Sequence, residues 1–194
     1  ILKPYKFIRD NINYFIIMDY GGKSLLRHVM KYHNLIEKDS ISITKWSKHV
    51  KIIFKQICQL IYYLHNKVRC CHLDISLQNI LIKDFQFQND TITNHGQISF
   101  CDWGVAEYFT SKKGFKCNKF VGKKNYKCPE IVLKETYDAR LADVYSLGIC
   151  LFIKQFGFSP LDIAYKSDAC FNSIINGHIK DILIQFNKCS YIMD

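Results

Sequence analysis

A polar loop between apolar segments, Cys70 to Ile82, constrains the fold of this 194-residue chain more than any other stretch. It reads CCHLDISLQNILI and carries His72, Asp74, Ser76 and Asn79. A carboxylate five residues before an amide suits one chemistry. The carboxylate accepts a proton from a hydroxyl nucleophile while the amide oxygen coordinates a divalent cation. Asp and Asn also populate ordinary turns, so the stretch alone leaves a plain turn open.

The segment before this loop has a clear helical period. Between Thr44 and Asn66, apolar residues recur at steps of three and four: Trp46, Val50, Ile53, Ile57, Leu60, Ile61 and Leu64. A stripe of this kind indicates a helix packed on a core rather than a cofactor site. We expect this helix to deliver the polar loop at its C-terminal end.

Three further motifs follow the loop along the chain. Gln97–Phe100 reads as a short strand leading to Asp102-Trp103-Gly104. Residues 126–130, YKCPE, form a proline-marked segment that opens a short helix. DVYSLG, at 143–148, lies within a strongly apolar helical run from Arg140 to Phe156, which predicts a buried central helix.

Together these motifs resemble the eukaryotic protein kinase family, whose signatures are HRDxxxxN, DFG, APE and DxWSxG. Here they read HLDISLQN, DWG, CPE and DVYSLG, in the family's order and at similar separations. The resemblance covers most of the chain. Four imperfect motifs in order are more specific than one perfect motif.

The resemblance implies an α+β, protein kinase-like fold, mostly the helical large lobe plus the last strands of the small lobe. Residues 1–21 would form the end of the small lobe and the hinge, and residues 22–194 the large lobe, truncated before its final helices. Strand patterns at 1–9 and 13–20 fit this division, although a plain hairpin fits them as well.

The resemblance also implies transfer of the γ-phosphate of ATP to serine or threonine hydroxyls of a protein substrate. Asp74 would be the catalytic base, and Asn79 and Asp102 would hold the two Mg²⁺ ions that bridge the nucleotide phosphates. The preference for serine and threonine rests on the resemblance alone, because Lys123 replaces the usual threonine of the substrate-side loop.

The nucleotide base would lie between the hinge and the floor of the large lobe. By resemblance Met18 occupies the gatekeeper position, and Asp19, Tyr20 and Gly21 form the hinge whose backbone holds the adenine. Leu81 lies where the family places the residue under the adenine ring.

Three further residues have structural roles by resemblance. His72 would pack beneath the aromatic ring of Trp103, which replaces the usual phenylalanine. Asp143 would anchor the backbone of the catalytic loop. Glu130 normally pairs with an arginine of helices that lie beyond Asp194, so we expect it to lack its partner.

Two substitutions within the loop depart from the family pattern. Ser76 stands where most serine/threonine kinases have a lysine that touches the γ-phosphate, so either another lysine substitutes or transfer is slow. Leu73 replaces the arginine that receives a phosphorylated activation loop. The alternative function is therefore a non-catalytic, kinase-like scaffold.

The ends of the chain also bear on activity. The sequence has no Gly-rich loop, no VAIK-like strand and no helix with the glutamate that pairs with that lysine. We therefore expect a fragment of a larger kinase that does not turn over ATP by itself.

The chain has a net charge of +10, and lysines are concentrated in the expected activation segment, residues 105–128. Its lysines are Lys112, Lys113, Lys116, Lys119, Lys123, Lys124 and Lys127. They favour either an acidic protein substrate or simply a solvated, lysine-biased loop. Nucleic-acid binding is disfavoured because interleaved aromatic residues and a recognised module are missing.

The remaining composition describes a globular, cytoplasmic protein, with a nuclear location left open. Apolar runs are too short for a membrane span, and nine cysteines without a CxxC pair favour reduced, mostly buried thiols. Adjacent Cys70 and Cys71 do not predict a metal site, because no His or Cys stands at ligand spacing. The abundance of Lys, Asn, Ile, Tyr and Phe suggests an AT-rich protist genome. The sequence leaves the oligomeric state open.

Overall fold

The computed structural model describes residue 2 and the ranges 4–38, 40–88, 91–110 and 114–188. Within these residues the chain is α+β, with α-helices that account for most of the regular structure. The helices are α1 Leu25–Glu37, α2 Ile43–Tyr63, α3 Pro129–Val132, α4 Ala139–Phe156, α5 Ala169–Ile175 and α6 Ile179–Gln185.

The strands are short and pair antiparallel in small separate sheets. They are β1 Pro4–Arg9, β2 Tyr14–Met18, β3 Lys23–Ser24, β4 Cys70–Cys71, β5 Ile80–Lys83, β6 Gln86–Gln88, β7 Thr91–Asn94, β8 Gln97–Phe100, β9 Glu107–Tyr108, β10 Lys116–Cys117 and β11 Tyr137–Asp138. The pairs are β1–β2, β4–β9, β6–β7 and β10–β11, and β5 lies between β3 and β8.

Helices α2 and α4 pack against each other at the centre of the main core. The Ser42 hydroxyl caps α2 by accepting a hydrogen bond from the Lys45 amide, and Asp138 caps α4 through the Arg140 amide. The predicted stripe is buried at Trp46, Val50, Ile53, Ile57, Ile61 and Leu64. Leu60 of that stripe is only partly buried against the same core.

Helix α2 ends earlier than the sequence pattern predicts. Residues Leu64–Val68 form one π-helical turn, and Arg69 then adopts a left-handed φ of 57°. The wider turn lets the chain leave the helix and enter β4, which leads directly into the polar loop.

Two other predicted segments differ from the structure. Residues 83–96, read as a polar connection, include the hairpin of β6 and β7, in which Phe87 packs edge-on against Tyr32. The last helical region, expected as one helix from Asp168 to about Phe186, is two helices separated at Gly177, whose φ is +78°.

The central helix is not buried on every side, because Val144 is 52% exposed. Most of the described cysteines are buried, as expected, although Cys58 is exposed. The cysteines that the structure describes are all free thiols.

The hairpin of β1 and β2 agrees with the predicted strand pair. Every residue of both strands is exposed, in contrast to the helical core. Backbone pairing holds the two strands together from Arg9–Tyr14 to Pro4–Met18, and the Tyr5 hydroxyl donates a hydrogen bond to Asp19. Among the described residues, no helix is long and apolar enough to cross a membrane.

Lys154 of α4 is a buried cation without a hydrogen-bond partner for Nζ among the described residues. Its ammonium lies 4.5 Å from the centre of the Trp46 ring, a cation–π contact that offsets part of the desolvation. Burial lowers the pKa of Lys154 from 10.5 to about 7. The fold therefore disfavours the charged form.

Replacing Lys154 by methionine should stabilise the fold. Between pH 7 and 10.5 the unfolded chain binds a proton that the folded chain does not, so stability of the unmodified protein rises with pH in that window. Lys154→Met should remove this rise and add about 2–4 kcal/mol to the free energy of unfolding at pH 7. Urea unfolding at pH 7 and 10 measures both effects.

Lys180→Met is the matched control, because Lys180 is exposed on α6. It should change neither the stability at pH 7 nor its pH dependence. A pH-dependent stability that persists unchanged in Lys154→Met would contradict the assignment to this lysine.

Candidate active site

The Asp143 carboxylate anchors the backbone of the polar loop. Its Oδ1 accepts the Leu73 amide at 2.8 Å, and its Oδ2 accepts the His72 amide and His65 Nε2, each at 2.9 Å. The Asp143 side chain is 1% exposed. These contacts fix the backbone at Leu73, which has a left-handed φ of 63°. An apolar loop residue in such a conformation is strained and needs external support.

His72 connects the loop to the segment that holds Asp102. It is fully buried, its Nε2 lies 3.1 Å from the Cys101 carbonyl oxygen, and its Nδ1 accepts the Asp74 amide at 3.3 Å. These contacts define a neutral tautomer with the proton on Nε2. The His72 ring also lies 4.6 Å from the Trp103 ring, centre to centre. Trp103 thus packs against the histidine ring.

Leu73, which stands in place of an arginine, belongs to an apolar cluster. It is 5% exposed and packs among Cys71, Phe109 and Ile131. An apolar side chain in this position offers no charge to a phosphate group on the activation segment.

Asp74 lies at the centre of a small polar network. The Asn79 amide nitrogen donates to the Asp74 carbonyl oxygen at 2.8 Å and to its Oδ2 at 2.7 Å. Lys123 Nζ forms an ion pair with the same Oδ2 at 2.7 Å. The other carboxylate oxygen, Oδ1, is buried and has no hydrogen-bond partner among the described residues. One oxygen is thus held by donors while the other is left to accept a proton.

The oxygen donors near Asn79 fit a hard divalent cation. Because the Asn79 nitrogen faces Asp74, its amide oxygen is the atom left for a metal ion. The Cys101 amide donates to the Asn79 carbonyl oxygen at 3.0 Å, which brings the next residue, Asp102, to the same place. Asp102 is exposed, with a φ of +62°. A carboxylate and an amide oxygen are ligands that Mg²⁺ accepts.

The predicted hinge meets the loop at one residue. Gly21 is buried, and a Cβ there would lie 2.6 Å from Leu81 Cδ1. Met18, Asp19 and Tyr20 are exposed. Strand β3 follows at once and pairs with β5, so the Gly21 backbone is fixed beside Leu81.

Gly22 makes that pairing sterically feasible. Its φ is +95°, and a Cβ would lie 2.0 Å from the Ile82 carbonyl oxygen. Glycine is needed at this close approach of two backbones.

Ser76 and Glu130 differ from the environments that the family pattern suggests. Ser76 is fully buried, and its hydroxyl has no hydrogen-bond partner among the described residues. Glu130 is exposed, so the absence of its usual arginine would not leave an unpaired buried charge.

Two groups of side chains in the structure are not predicted from the sequence. The first is the ion pair between Lys123 and Asp74, although the serine at position 76 indicates that another lysine could take the place of the usual one. The second is a cluster of His65, Cys71 and Asp143, whose donor atoms lie within 4.8 Å of one another. The Asp143 oxygens of that group already accept hydrogen bonds, and burial, followed by the Asp143 charge, raises the pKa of the Cys71 thiol. These features disfavour a metal site, because a thiol must lose its proton to bind a metal.

An α+β chain with an anchored loop that presents a carboxylate beside an amide is typical of kinase-like domains. The chain matches the family model described as "Protein kinase domain" over residues 1–190 and belongs to that family. It is similar to a probable serine/threonine-protein kinase MARK-A of Dictyostelium discoideum, with 27% identity over 84% of this chain and 13% of the relative.

Two other relatives extend the similarity. Calcium-dependent protein kinase 4 of Plasmodium berghei is 29% identical over 98% of this chain and 32% of its own length. Sperm motility kinase 3A of Mus musculus is 27% identical over 84% of this chain and 28% of its own length. The chain therefore spans less than a third of each of these relatives.

Proposed function

We propose that the chain is the catalytic core of a serine/threonine protein kinase, which transfers the γ-phosphate of ATP to protein hydroxyls. The observation that carries this proposal is the Asp74–Asn79 contact at 2.7 Å on a loop anchored by Asp143. It gives a proton acceptor and a metal-ligand oxygen in one rigid unit, as phosphoryl transfer requires. The serine/threonine kinases among the similar proteins support the same function.

Asp74 would orient the substrate hydroxyl and accept its proton. Asn79 and Asp102 would hold Mg²⁺, which supplies charge neutralisation on the nucleotide phosphates when bound. His72 and Asp143 would position the loop through their hydrogen bonds rather than touch the substrate. We place Met18 at the gatekeeper position and Asp19, Tyr20 and Gly21 at the hinge.

Residues 1–21 would then be the end of the small lobe and residues 22–194 the large lobe. Leu81, which packs against Gly21, would form the floor beneath the adenine ring. This arrangement places the nucleotide between the hinge and the loop, with its phosphates toward Asn79 and Asp102.

The protein substrate would be acidic near its target hydroxyl. Lys119 forms a partly exposed pair with Glu107, and Lys124 forms a largely exposed, weak pair with Asp162. The other lysines of the segment add to a basic surface beside the loop. Lys112 and Lys113 lie outside the described residues. A solvated, lysine-biased segment is the competing explanation.

Nucleotide binding and transfer by the intact protein test the proposal. Mg²⁺-dependent ATP binding should be measured by calorimetry, and transfer by radiolabelled phosphate on a mixed-sequence peptide library. Asp102→Asn should weaken Mg²⁺-dependent binding about tenfold or more, because it removes a charged ligand from a hard cation. It should leave the weak binding in excess chelator unchanged.

Asp162→Asn is the control, because it removes a carboxylate that is 75% exposed and pairs with Lys124. It should bind and transfer like the unmodified protein. Magnesium-dependent binding without any transfer by the unmodified protein would favour the alternative function, a kinase-like scaffold. The specific observation behind that alternative is the buried Ser76, whose side chain carries no charge for a phosphate.

A further inference from the structure

The segment around Lys123 is built onto the catalytic loop. Gly122, with a φ of +92°, has its Cβ position only 3.1 Å from the Leu73 carbonyl oxygen, so the two backbones touch. The Lys123 carbonyl oxygen accepts the amides of Tyr126 and Lys127 at 3.0 and 3.1 Å. Tyr126 is itself buried and accepts a hydrogen bond at its carbonyl oxygen from the Ser146 hydroxyl of α4. Lys123 is thus held on a fixed turn.

The Lys123 side chain is distinguished from neighbouring lysines by where its ammonium lies. Its Nζ is 2.7 Å from Asp74 Oδ2, and the pair is partly buried, with side-chain exposures of 34% and 14%. Lys124 instead pairs with the exposed Asp162, and Lys127 lies 3.9 Å from the centre of the Phe120 ring. Lys123 therefore brings a positive charge to the group that would meet the substrate hydroxyl.

Ser76 does not supply the positive charge that a lysine would carry at this position. Its side chain is short, fully buried and uncharged, so it cannot contact the negative oxygens of a phosphoryl group in transfer. Phosphoryl transfer depends on electrostatic stabilisation of those oxygens more than on covalent chemistry. A lysine ammonium reaches such a group as a flexible point charge.

We propose that Lys123 of the activation segment supplies the cationic contact to the transferring phosphoryl group that position 76 lacks, an inference that rests on the proposed kinase function. Lys123 would thus be a catalytic residue contributed by the segment, not by the loop. Its ion pair with Asp74 would hold the ammonium next to the reacting groups before substrate arrives.

The bond changes assign separate tasks to the two oxygens of Asp74. The substrate hydroxyl oxygen bonds to the γ-phosphorus, and the bond from that phosphorus to the β–γ bridging oxygen breaks, with its electron pair leaving on ADP. The hydroxyl proton passes to Asp74 Oδ1, the oxygen without a hydrogen-bond partner among the described residues. Lys123 stays protonated throughout and donates to a non-bridging phosphoryl oxygen, while Asn79 keeps Oδ2 in place.

The glycine before Lys123 leaves room for this arrangement. A Cβ at Gly122 would lie 3.9 Å from Asp74 Oδ1, so a larger side chain there would crowd the approach of a hydroxyl. The segment therefore contacts the loop through a glycine beside the proton-accepting oxygen.

Substitutions in the intact protein separate this role from simple loop support. Lys123→Met should lower kcat about 100-fold, with the KM for ATP and the affinity for Mg-ADP within about twofold of the unmodified protein. Lys123→Arg, which keeps the charge, should recover about tenfold of that loss. Lys180→Met removes an exposed lysine of α6, outside the segment, and should leave kcat unchanged.

A binding measurement gives a readout besides activity. Aluminium fluoride with Mg-ADP mimics the phosphoryl group in transfer, so it should tighten ADP binding in the unmodified protein and in Lys180→Met. Lys123→Met should abolish that tightening while Mg-ADP alone binds normally. A merely structural lysine would weaken both kinds of binding or neither.

The outcomes also separate this inference from the proposed function. If Asp74→Asn abolishes transfer while Lys123→Met behaves like Lys180→Met, the inference is overturned and the kinase function stands. Faster transfer by Lys123→Met would also overturn it, because the ion pair would then be an inhibitory lock. If the unmodified protein neither binds Mg-ATP nor transfers phosphate, the proposed function fails and the inference with it.

Discussion

Asp74→Asn should lower the rate of phosphoryl transfer about 1,000-fold in the intact protein while nucleotide affinity changes less than about twofold. The substitution keeps the size of the side chain, and the remaining carbonyl oxygen can still accept hydrogen bonds from Asn79 and Lys123. An amide cannot accept the hydroxyl proton. Single-turnover transfer and calorimetric ATP binding should therefore separate, with loss only in the former.

Two results would contradict this assignment. A variant that keeps more than about a tenth of the transfer rate would show that Asp74 is not the base, since a general base contributes about 100- to 10,000-fold. A parallel loss of nucleotide affinity would instead indicate that Asp74 supports the binding site.

Asp143→Ala should destabilise the fold by about 3–5 kcal/mol, the largest stability effect that we expect at any single site. The carboxylate is buried and accepts hydrogen bonds from the Leu73 and His72 amides and from His65. Removing it leaves buried donors without an acceptor, each of which costs about 1–3 kcal/mol. Urea unfolding followed by far-ultraviolet circular dichroism measures the change.

Asp138→Ala is the matched control at the start of the same helix. Asp138 caps α4 and pairs with Arg140 in a partly exposed position, so its loss should cost only about 1 kcal/mol. Equal destabilisation by the two variants would mean that Asp143 acts only through the helix and not through the loop.

The spacing of apolar residues predicts the core helices, because burying one face of a helix requires apolar residues at that spacing. The stripe from Trp46 to Leu64 and the run from Arg140 to Phe156 both reflect packing on buried apolar clusters, and both lie in α-helices apart from the π-helical end at Leu64. The β6–β7 hairpin was missed because most of its residues are polar and exposed. The break at Gly177 was missed because an isolated glycine does not by itself end a helix.

The sequence predicts which residues belong to the site but not the contacts between residues far apart in the chain. Motif spacing named Asp74, Asn79 and Asp143 because each stands at a fixed offset within one local element. Lys123 is 49 positions from Asp74 along the chain, and its contact depends on how the activation segment folds back. Long-range contacts of this type come from tertiary packing, which local sequence patterns do not encode.

The exposed hairpin of β1 and β2 should open at a lower free-energy cost than the helical core. Its strands are joined to each other by backbone hydrogen bonds and bury none of their side chains, whereas α2 and α4 bury a continuous stripe. Local opening free energy follows buried contacts, so the hairpin can separate in a sub-global fluctuation that leaves the helical core intact. The hairpin and the helical core would then be two cooperative units of unequal stability, with the covalent link between them passing through Gly21 and Gly22.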